Sequence, residues 1–273
     1  MTYRVIALDL DGTLLDRQKR ILPESLKAIQ AAREQGVKVL VVTGRHHVAI
    51  HPFYQALKLD TPAICCNGTY LYDYQNKTVL ASDPLREDLA QEVITLLDHS
   101  KIHGMLYVDN AMLYERPTDH VLRSLAWAET LPEAQRPTIL QVNSLREAAK
   151  EADAIWKFAT THPDLKALKA FTVEVEEKLG LACEWSWHDQ VDVAKGGNSK
   201  GKRLQAWVEA QGMTMKDVLA FGDNYNDLSM LETAGLGVAM GNADDYIKER
   251  AALVIGTNEE PGIAEVITQE ILQ

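Results

Sequence analysis

The sequence predicts an α/β fold: an open, Rossmann-like parallel sheet carrying an inserted α+β domain. Three observations predict it. Short apolar runs end in polar or glycine residues, helical stretches alternate with them, and the middle of the chain breaks that rhythm. Near-continuous apolar runs are what strands buried on both faces of a parallel sheet look like. Strand and helix in alternation argue an open α/β sheet.

The elements follow in order. Val5–Asp9 reads as the first strand. Leu26, Ile29 and Ala32 share one helical face, and Gly36 stops that helix. Val37–Thr43 and Ala63–Asn67 read as the next two strands. From about Asp83 to His188, helical spacing (Leu89, Val93, Leu96, Leu97) mixes with candidate strands (Met105–Val108, Trp156–Phe158). That stretch is the inserted domain, so the core is expected at 1–82 and 189–273 and the insert at 83–188. The alternation resumes with a helix through Leu204, Trp207 and Val208 that stops at Gly212. Strands at Val218–Asp223, Gly237–Met240 and Leu253–Ile255 complete it. Open α/β sheets bind ligands beyond the carboxyl ends of their strands. Here those ends carry Asp9, Thr43, Asn67, Asp223 and Gly241-Asn242.

Composition narrows the class. The 273 residues are 46% hydrophobic and 25% charged, which excludes a disordered chain, a collagen-like repeat and a coiled-coil rod. No window approaches the roughly 18 consecutive apolar residues of a membrane helix. The first apolar run meets Asp9 too early for a signal peptide, so a soluble, cytoplasmic protein is expected. A net charge of −11 gives a polyanion no general attraction, which disfavours nucleic acid as a partner. A small anionic substrate would need a metal ion and local cations in one cleft. Cys65, Cys66 and Cys183 form no CxxC pair and read as buried thiols in a reducing compartment.

The strongest chemical signal is Asp9-Leu10-Asp11-Gly12-Thr13, two carboxylates on a strand-end turn. A second acidic strand end, Gly222-Asp223-Asn224-Tyr225-Asn226-Asp227, follows a later strand. Carboxylate clusters on neighbouring strand ends repel unless a cation lies between them. Oxygen ligands with places left for water favour Mg²⁺. Thr43-Gly44-Arg45 offers a hydroxyl and backbone amides to an anion. The loop Gly196-Gly197-Asn198-Ser199-Lys200-Gly201 opens a helix, and a helix N-terminus beside a lysine is a ready anion site. Gly196 through Lys202 also fits the start of a nucleotide-binding P-loop, but Arg203 stands where that loop needs Ser or Thr. No apolar strand leads into it either, so the P-loop reading is rejected.

In this order the motifs Asp9-Leu-Asp-Gly-Thr13, Thr43-Gly44, Lys200 and Gly222–Asp227 resemble the haloacid dehalogenase superfamily, essentially end to end. Most of the chain's middle lies between Thr43 and Lys200, as in the Cof-type branch with its α+β type-2 cap. The second aspartate, Asp11, is similar to phosphatases and phosphomutases of the superfamily rather than to its dehalogenases. The resemblance implies a Mg²⁺-dependent phosphatase. Asp9 would be the nucleophile, forming an aspartyl-phosphate, and Asp11 the general acid and base. The Asp9 and Asp223 carboxylates with the Asp11 backbone carbonyl would hold Mg²⁺. The Leu10 amide, Thr43, Gly44, Lys200 and Asn226 would hold phosphoryl oxygens, and Asp227 would orient Lys200 or a metal-bound water. The insert, as a cap, would close over the cleft.

Other residues carry two readings. His46, His47 and His51 could suggest a metal cluster, but a surface or supporting role is preferred for them. Asn67-Gly68-Thr69 matches a substrate-facing loop of Cof-type relatives, with a plain turn as the alternative. Trp185, Trp187 and His188 could stack on an aromatic leaving group, although packing within the insert is preferred. Thr43–Tyr54 and Trp185–Val191 are similar to stretches of bacterial pyridoxal phosphate phosphatases, which implies pyridoxal phosphate or sugar phosphates as the small phosphorylated metabolite. A phosphomutase or phosphotransferase on the same core, and a non-catalytic binding protein, are the rivals. The sequence specifies no oligomeric state.

Overall fold

The computed structural model describes residues 3–272; residues 1, 2 and 273 of the expected core lie outside the described residues. The chain begins with β1 (Val5–Leu8), buried along its whole length. α1 (Pro23–Glu34) opens on a proline, whose missing N–H costs nothing in a first turn, and buries Ala28, Ile29 and Ala32. β2 (Lys38–Val41), α2 (His51–Ala56), β3 (Ala63–Cys65), β4 (Tyr70–Asp73) and β5 (Thr78–Ser82) follow. The middle of the chain forms α3 (Glu87–Ser100), β6 (His103–Val108), β7 (Ala111–Tyr114), α4 (Asp119–Glu129) and β8 (Ile139–Gln141). It continues with α5 (Leu145–Glu151), β9 (Ile155–Thr161), α6 (Leu165–Leu179), β10 (Ala182–Trp187) and β11 (Gln190–Ala194). The last part contains α7 (Lys200–Ala210), β12 (Val218–Gly222), α8 (Leu228–Leu231) and β13 (Leu236–Ala239). α9 (Asp245–Lys248), β14 (Leu253–Val254) and α10 (Gly262–Glu270) end it.

Two compact units result. Met1–Gly44, Phe53–Ala81 and Ser199–Gln273 make the first; Arg45–Pro52 and Ser82–Asn198 make the second. The first holds a five-stranded parallel sheet in the order β14-β13-β12-β1-β2. β1 lies between β12 and β2, so the chain leaves β1 toward one side of the sheet and later returns on the other. That reversal opens the crevice where ligands bind in such sheets. Leu8 is in register with Phe221 and Val41, which brings Asp9, Asp223 and Thr43 out at the same edge. Leu204, Trp207 and Val208 of α7 pack on Val5, Ala7, Val218 and Ala220, and α1 packs against α10.

Two expected strands behave differently. β3 meets β2 through one parallel bridge, Val42 with Ile64, and the Thr43 N–H donates to the Ile64 carbonyl at 2.9 Å. Its main pairing is antiparallel, to β4, within a separate β3-β4-β5 sheet. β14 is the edge of the parallel sheet, so Leu253 and Val254 remain 37% and 45% exposed rather than covered on both faces.

The second unit is a six-stranded sheet, β10-β11-β9-β6-β7-β8, antiparallel except for β7 with β8. α3, α5 and α6 cover one face: Val93, Leu97, Ala149, Leu168 and Phe171 meet Leu106, Phe158, Val191 and Val193. β11 pairs with β9 and β10, so the chain crosses back at Asn198/Ser199 and not at the expected 188/189. The alternating Val191 and Val193 would suit either sheet, and only pairing decides between them. Arg45–Pro52 joins this unit because the His46 ring Nε2 lies 2.7 Å from the Val108 carbonyl oxygen. Among the described residues, no helix is long and apolar enough to cross a membrane.

Phe158 is fully buried at the centre of the second unit's core. Phe158→Ala is expected to cost about 3–5 kcal/mol, read from urea denaturation followed by circular dichroism.

Candidate active site

The site assembles within the first unit, at the carboxyl ends of β1 and β12. Asp9 follows β1, and its N–H donates to the Phe221 carbonyl at 3.2 Å, tying it to the neighbouring strand. A tight turn follows, in which the Leu10 carbonyl accepts the N–H groups of Thr13 (3.2 Å) and Leu15 (2.9 Å). Leu10 itself is buried. Gly12 sits at φ +80, and a Cβ there would stand 2.2 Å from Asp223 Oδ2. Glycine is thus required twice, for the left-handed turn and for the approach of the Asp223 carboxylate. Thr13 Oγ1 completes the contact by donating to Asp223 Oδ1 at 2.8 Å.

Lys200 is the first residue of α7, whose preceding Ser199 accepts the Lys202 N–H. Its ammonium is 1% exposed and lies 2.7 Å from Asp9 Oδ1 and 2.6 Å from Asp227 Oδ1. The other Asp227 oxygen accepts the N–H groups of Asp223 (2.9 Å) and Asn224 (3.0 Å). Burial alone would lower the Lys200 pKa, but Asp227 and Asp9 together override it and the net shift is upward. Burial pushes Asp9 up from 3.8 to about 7; Asp227 adds to the rise and Lys200 opposes it. Asp223 is also raised, by burial first and then by Asp9 and Asp227.

Behind burial, the carboxylates also repel one another, which a cation between them would relieve. Asp9, Asp223 and Asp227 are the metal-capable group among the described residues, with ligand oxygens within 4.8 Å of one another. Asp227 already spends both oxygens on Lys200 and two backbone amides. Asp9 and Asp223 are therefore the carboxylates suited to a cation, and a hard oxygen set fits Mg²⁺.

The remaining expected residues lie on the same side. Thr43 is buried, with its carbonyl accepting the Asn67 N–H at 3.0 Å. A Cβ at Gly44 would stand 2.8 Å from Asn67 Oδ1, so glycine admits that side chain. Asn67 Oδ1 accepts from Asn226 Nδ2 at 3.0 Å, which links the Thr43 loop to the Asp223 loop. Asn226 Oδ1 is buried with no hydrogen-bond partner. Arg203 Nε donates to the Gly68 carbonyl at 2.9 Å. The residue that disqualified a P-loop thus fastens the Asn67–Gly68 turn to α7. Asp11 is more open and pairs with Lys19 at 2.5 Å.

Several sequence expectations need correction or addition. His46 and His47 are not at the surface: both are buried, and His46 Nδ1 also accepts the Val48 N–H at 3.2 Å. The histidines join no metal-capable group among the described residues. Trp185 packs against the second unit's core, but Trp187 is 54% exposed, so packing does not account for it. Sequence reasoning assigned no role to Thr13, Lys19 or Arg203. Thr13 lies inside the Asp9–Thr13 motif, whereas Lys19 and Arg203 carry no spacing signal.

Comparison with known proteins places the chain among relatives of the same shape. A sequence model of haloacid dehalogenase-like hydrolases matches residues 6–267. Pyridoxal phosphate phosphatase YbhA of Escherichia coli (strain K12) is 62% identical over 272 residues, 100% of both chains. A 5-amino-6-(5-phospho-D-ribitylamino)uracil phosphatase, YitU of Bacillus subtilis (strain 168), is 30% identical over 271 residues, 97% of this chain and 96% of its own. The solved structure of a haloacid dehalogenase-like hydrolase from B. subtilis superposes with a TM-score of 0.86 at 26% identity, covering 98% of this chain and 99% of that one.

Two outcomes follow from the geometry. Gly12→Ala forces the turn away from Asp223, so calorimetric titration should show Mg²⁺ binding weakened at least about tenfold with the fold retained. Asp9 binds its proton more tightly folded than unfolded, so between about pH 4 and 7 its ionisation destabilises the metal-free protein as pH rises. Asn at position 9 cannot ionise. The melting temperature of Asp9→Asn minus that of the wild type, both in chelator, should climb across that window and level off above about pH 7.

Proposed function

We propose residue roles on one premise: this chain belongs to the haloacid dehalogenase-like hydrolase family and is a phosphatase. It hydrolyses small phosphomonoesters through an aspartyl-phosphate. The observation that carries the assignment is the Asp9 carboxylate at the strand-order reversal, backed by a buried ammonium at 2.7 Å.

In the first half-reaction an Asp9 oxygen attacks phosphorus and the ester P–O bond breaks. Asp11 gives its proton to the leaving oxygen, and the phosphoryl group stays on Asp9. In the second, Asp11 takes a proton from water as that water attacks the same phosphorus. The P–O bond to Asp9 breaks and inorganic phosphate leaves. Lys200 balances charge on Asp9 and on the phosphoryl oxygens throughout, and Asp227 keeps Lys200 aimed. Thr43, the Leu10 and Gly44 amides and the Asn226 amide hold phosphoryl oxygens; one Asn226 Nδ2 hydrogen already goes to Asn67. Mg²⁺, held by Asp9, Asp223 and the Asp11 backbone carbonyl, would offset repulsion between the carboxylates and the incoming phosphate dianion.

Pyridoxal phosphate is the first substrate to expect, because 62% identity extends over the whole of YbhA. Sugar phosphates are the second, with no nucleic acid or membrane partner implied. A cytoplasmic setting fits three cysteines with no disulfide between them.

Phosphate release from pyridoxal phosphate, sugar phosphates and nucleotides tests the reading. Release should need Mg²⁺ and vanish in chelator. Asp9→Asn should lower it by about 10,000-fold or more while far-ultraviolet circular dichroism stays unchanged. Undiminished release by that variant would remove the mechanism.

A further inference from the structure

Asp11 meets a cation delivered by the arch that follows β1. Residues 11–21 fold back on themselves, with bridges from Asp11 to Leu15 and from Leu15 to Ile21. Asp16 shapes the tip and is buried. Its Oδ1 accepts the N–H groups of Gln18 and Arg20, both at 2.8 Å, and its backbone N–H and carbonyl bond Arg20 and Lys19. The C-terminal part of the unit anchors the arch. Asn242 Nδ2 donates to the Gly12 carbonyl (2.9 Å), Asn258 Nδ2 to the Leu15 carbonyl (2.7 Å), and the Arg17 N–H to Glu259 Oε1 (2.7 Å).

This arch forces Lys19 to φ 60, a left-handed conformation that favours glycine or asparagine over lysine. Lys58, Lys77 and Lys101 share that conformation, so what distinguishes Lys19 is the contact its side chain makes. The Lys19 ammonium lies 2.5 Å from Asp11 Oδ1. Both side chains are about one-third exposed (37% and 30%), and ion pairs that open to water add little to stability. The pair is therefore poorly placed as a structural strut. It is well placed to fix the direction of one carboxylate.

We infer that Lys19 is a positioning residue for the phosphatase reaction. By binding Oδ1 it holds the Asp11 carboxylate in one orientation, so that the same oxygen meets the leaving group first and the attacking water later. This rests on Asp11 being the general acid and base. Lys19 touches neither the phosphoryl group nor the nucleophile in this role, and it acts only through Asp11.

A double-mutant cycle on the Mg²⁺-loaded enzyme tests it, with pyridoxal phosphate as substrate. Lys19→Met should lower kcat about 10- to 100-fold, the effect of a slightly misaimed catalytic group, with KM changed less than about twofold. Lys19→Gly relieves the backbone strain, so it should melt no lower than the wild type and yet show the same loss in kcat. Asp11→Asn alone should lose about 100- to 10,000-fold. In the Asp11→Asn background, Lys19→Met should change kcat by less than about twofold, because the residue it positions is already disabled. Wild-type kcat in Lys19→Met beside an impaired Asp11→Asn would overturn the inference, as would losses that multiply in the double variant. Full activity of Asp11→Asn would instead overturn the assignment of Asp11, and this inference with it.

Discussion

A buried ammonium between two carboxylates is the constraint on which the rest of this structure depends. Lys200 is almost completely removed from water, and an unpaired charge there would be strongly destabilising. Asp9 and Asp227 each put an oxygen within 2.7 Å of it, so none of the three can move without exposing the others. Asp227 is in turn bound by the amides of Asp223 and Asn224, which gives the loop after β12 its shape. α7 is tied to α8, since the Gly201 N–H donates to Ser229 Oγ at 2.9 Å. One ammonium does not balance three carboxylates; Asp9 and Asp223 are shifted upward by burial first and by their carboxylate neighbours next. A divalent cation is what would offset that surplus.

Strand order explains why the pieces meet. Asp9 and Asp223 are far apart in sequence, yet β1 and β12 are neighbours in register, and both strands end at the crevice. Most of the second unit, Ser82–Asn198, is accommodated in the chain from the end of β5 up to α7, and only Arg45–Pro52 comes from between β2 and β3.

Much of this was legible in the sequence because strand ends in a parallel sheet announce themselves. Val5–Leu8 and Val218–Phe221 are fully buried runs, and the first polar side chains after them are the acids that form the site. Less legible were features set by pairing. Val191 and Val193 alternate as they would in any strand, and only their bonds to β9 and β10 assign Gln190–Ala194 to the second unit. The burial of His46 could not be read either, because it depends on the Val108 carbonyl, 62 positions away. Lys19 lacked a signal for a different reason: the left-handed turn that brings it to Asp11 is shaped by Asp16, and a lysine in a loop looks ordinary.

The most direct test of the account is to stop the wild-type enzyme with acid during turnover of pyridoxal phosphate and to map the phosphorylated peptide by mass spectrometry. A phosphoryl group on Asp9, sensitive to hydroxylamine as acyl phosphates are, is the predicted result. A phosphoryl group on any other residue would contradict the account, because the Lys200 ion pair would then be backing a carboxylate that never attacks.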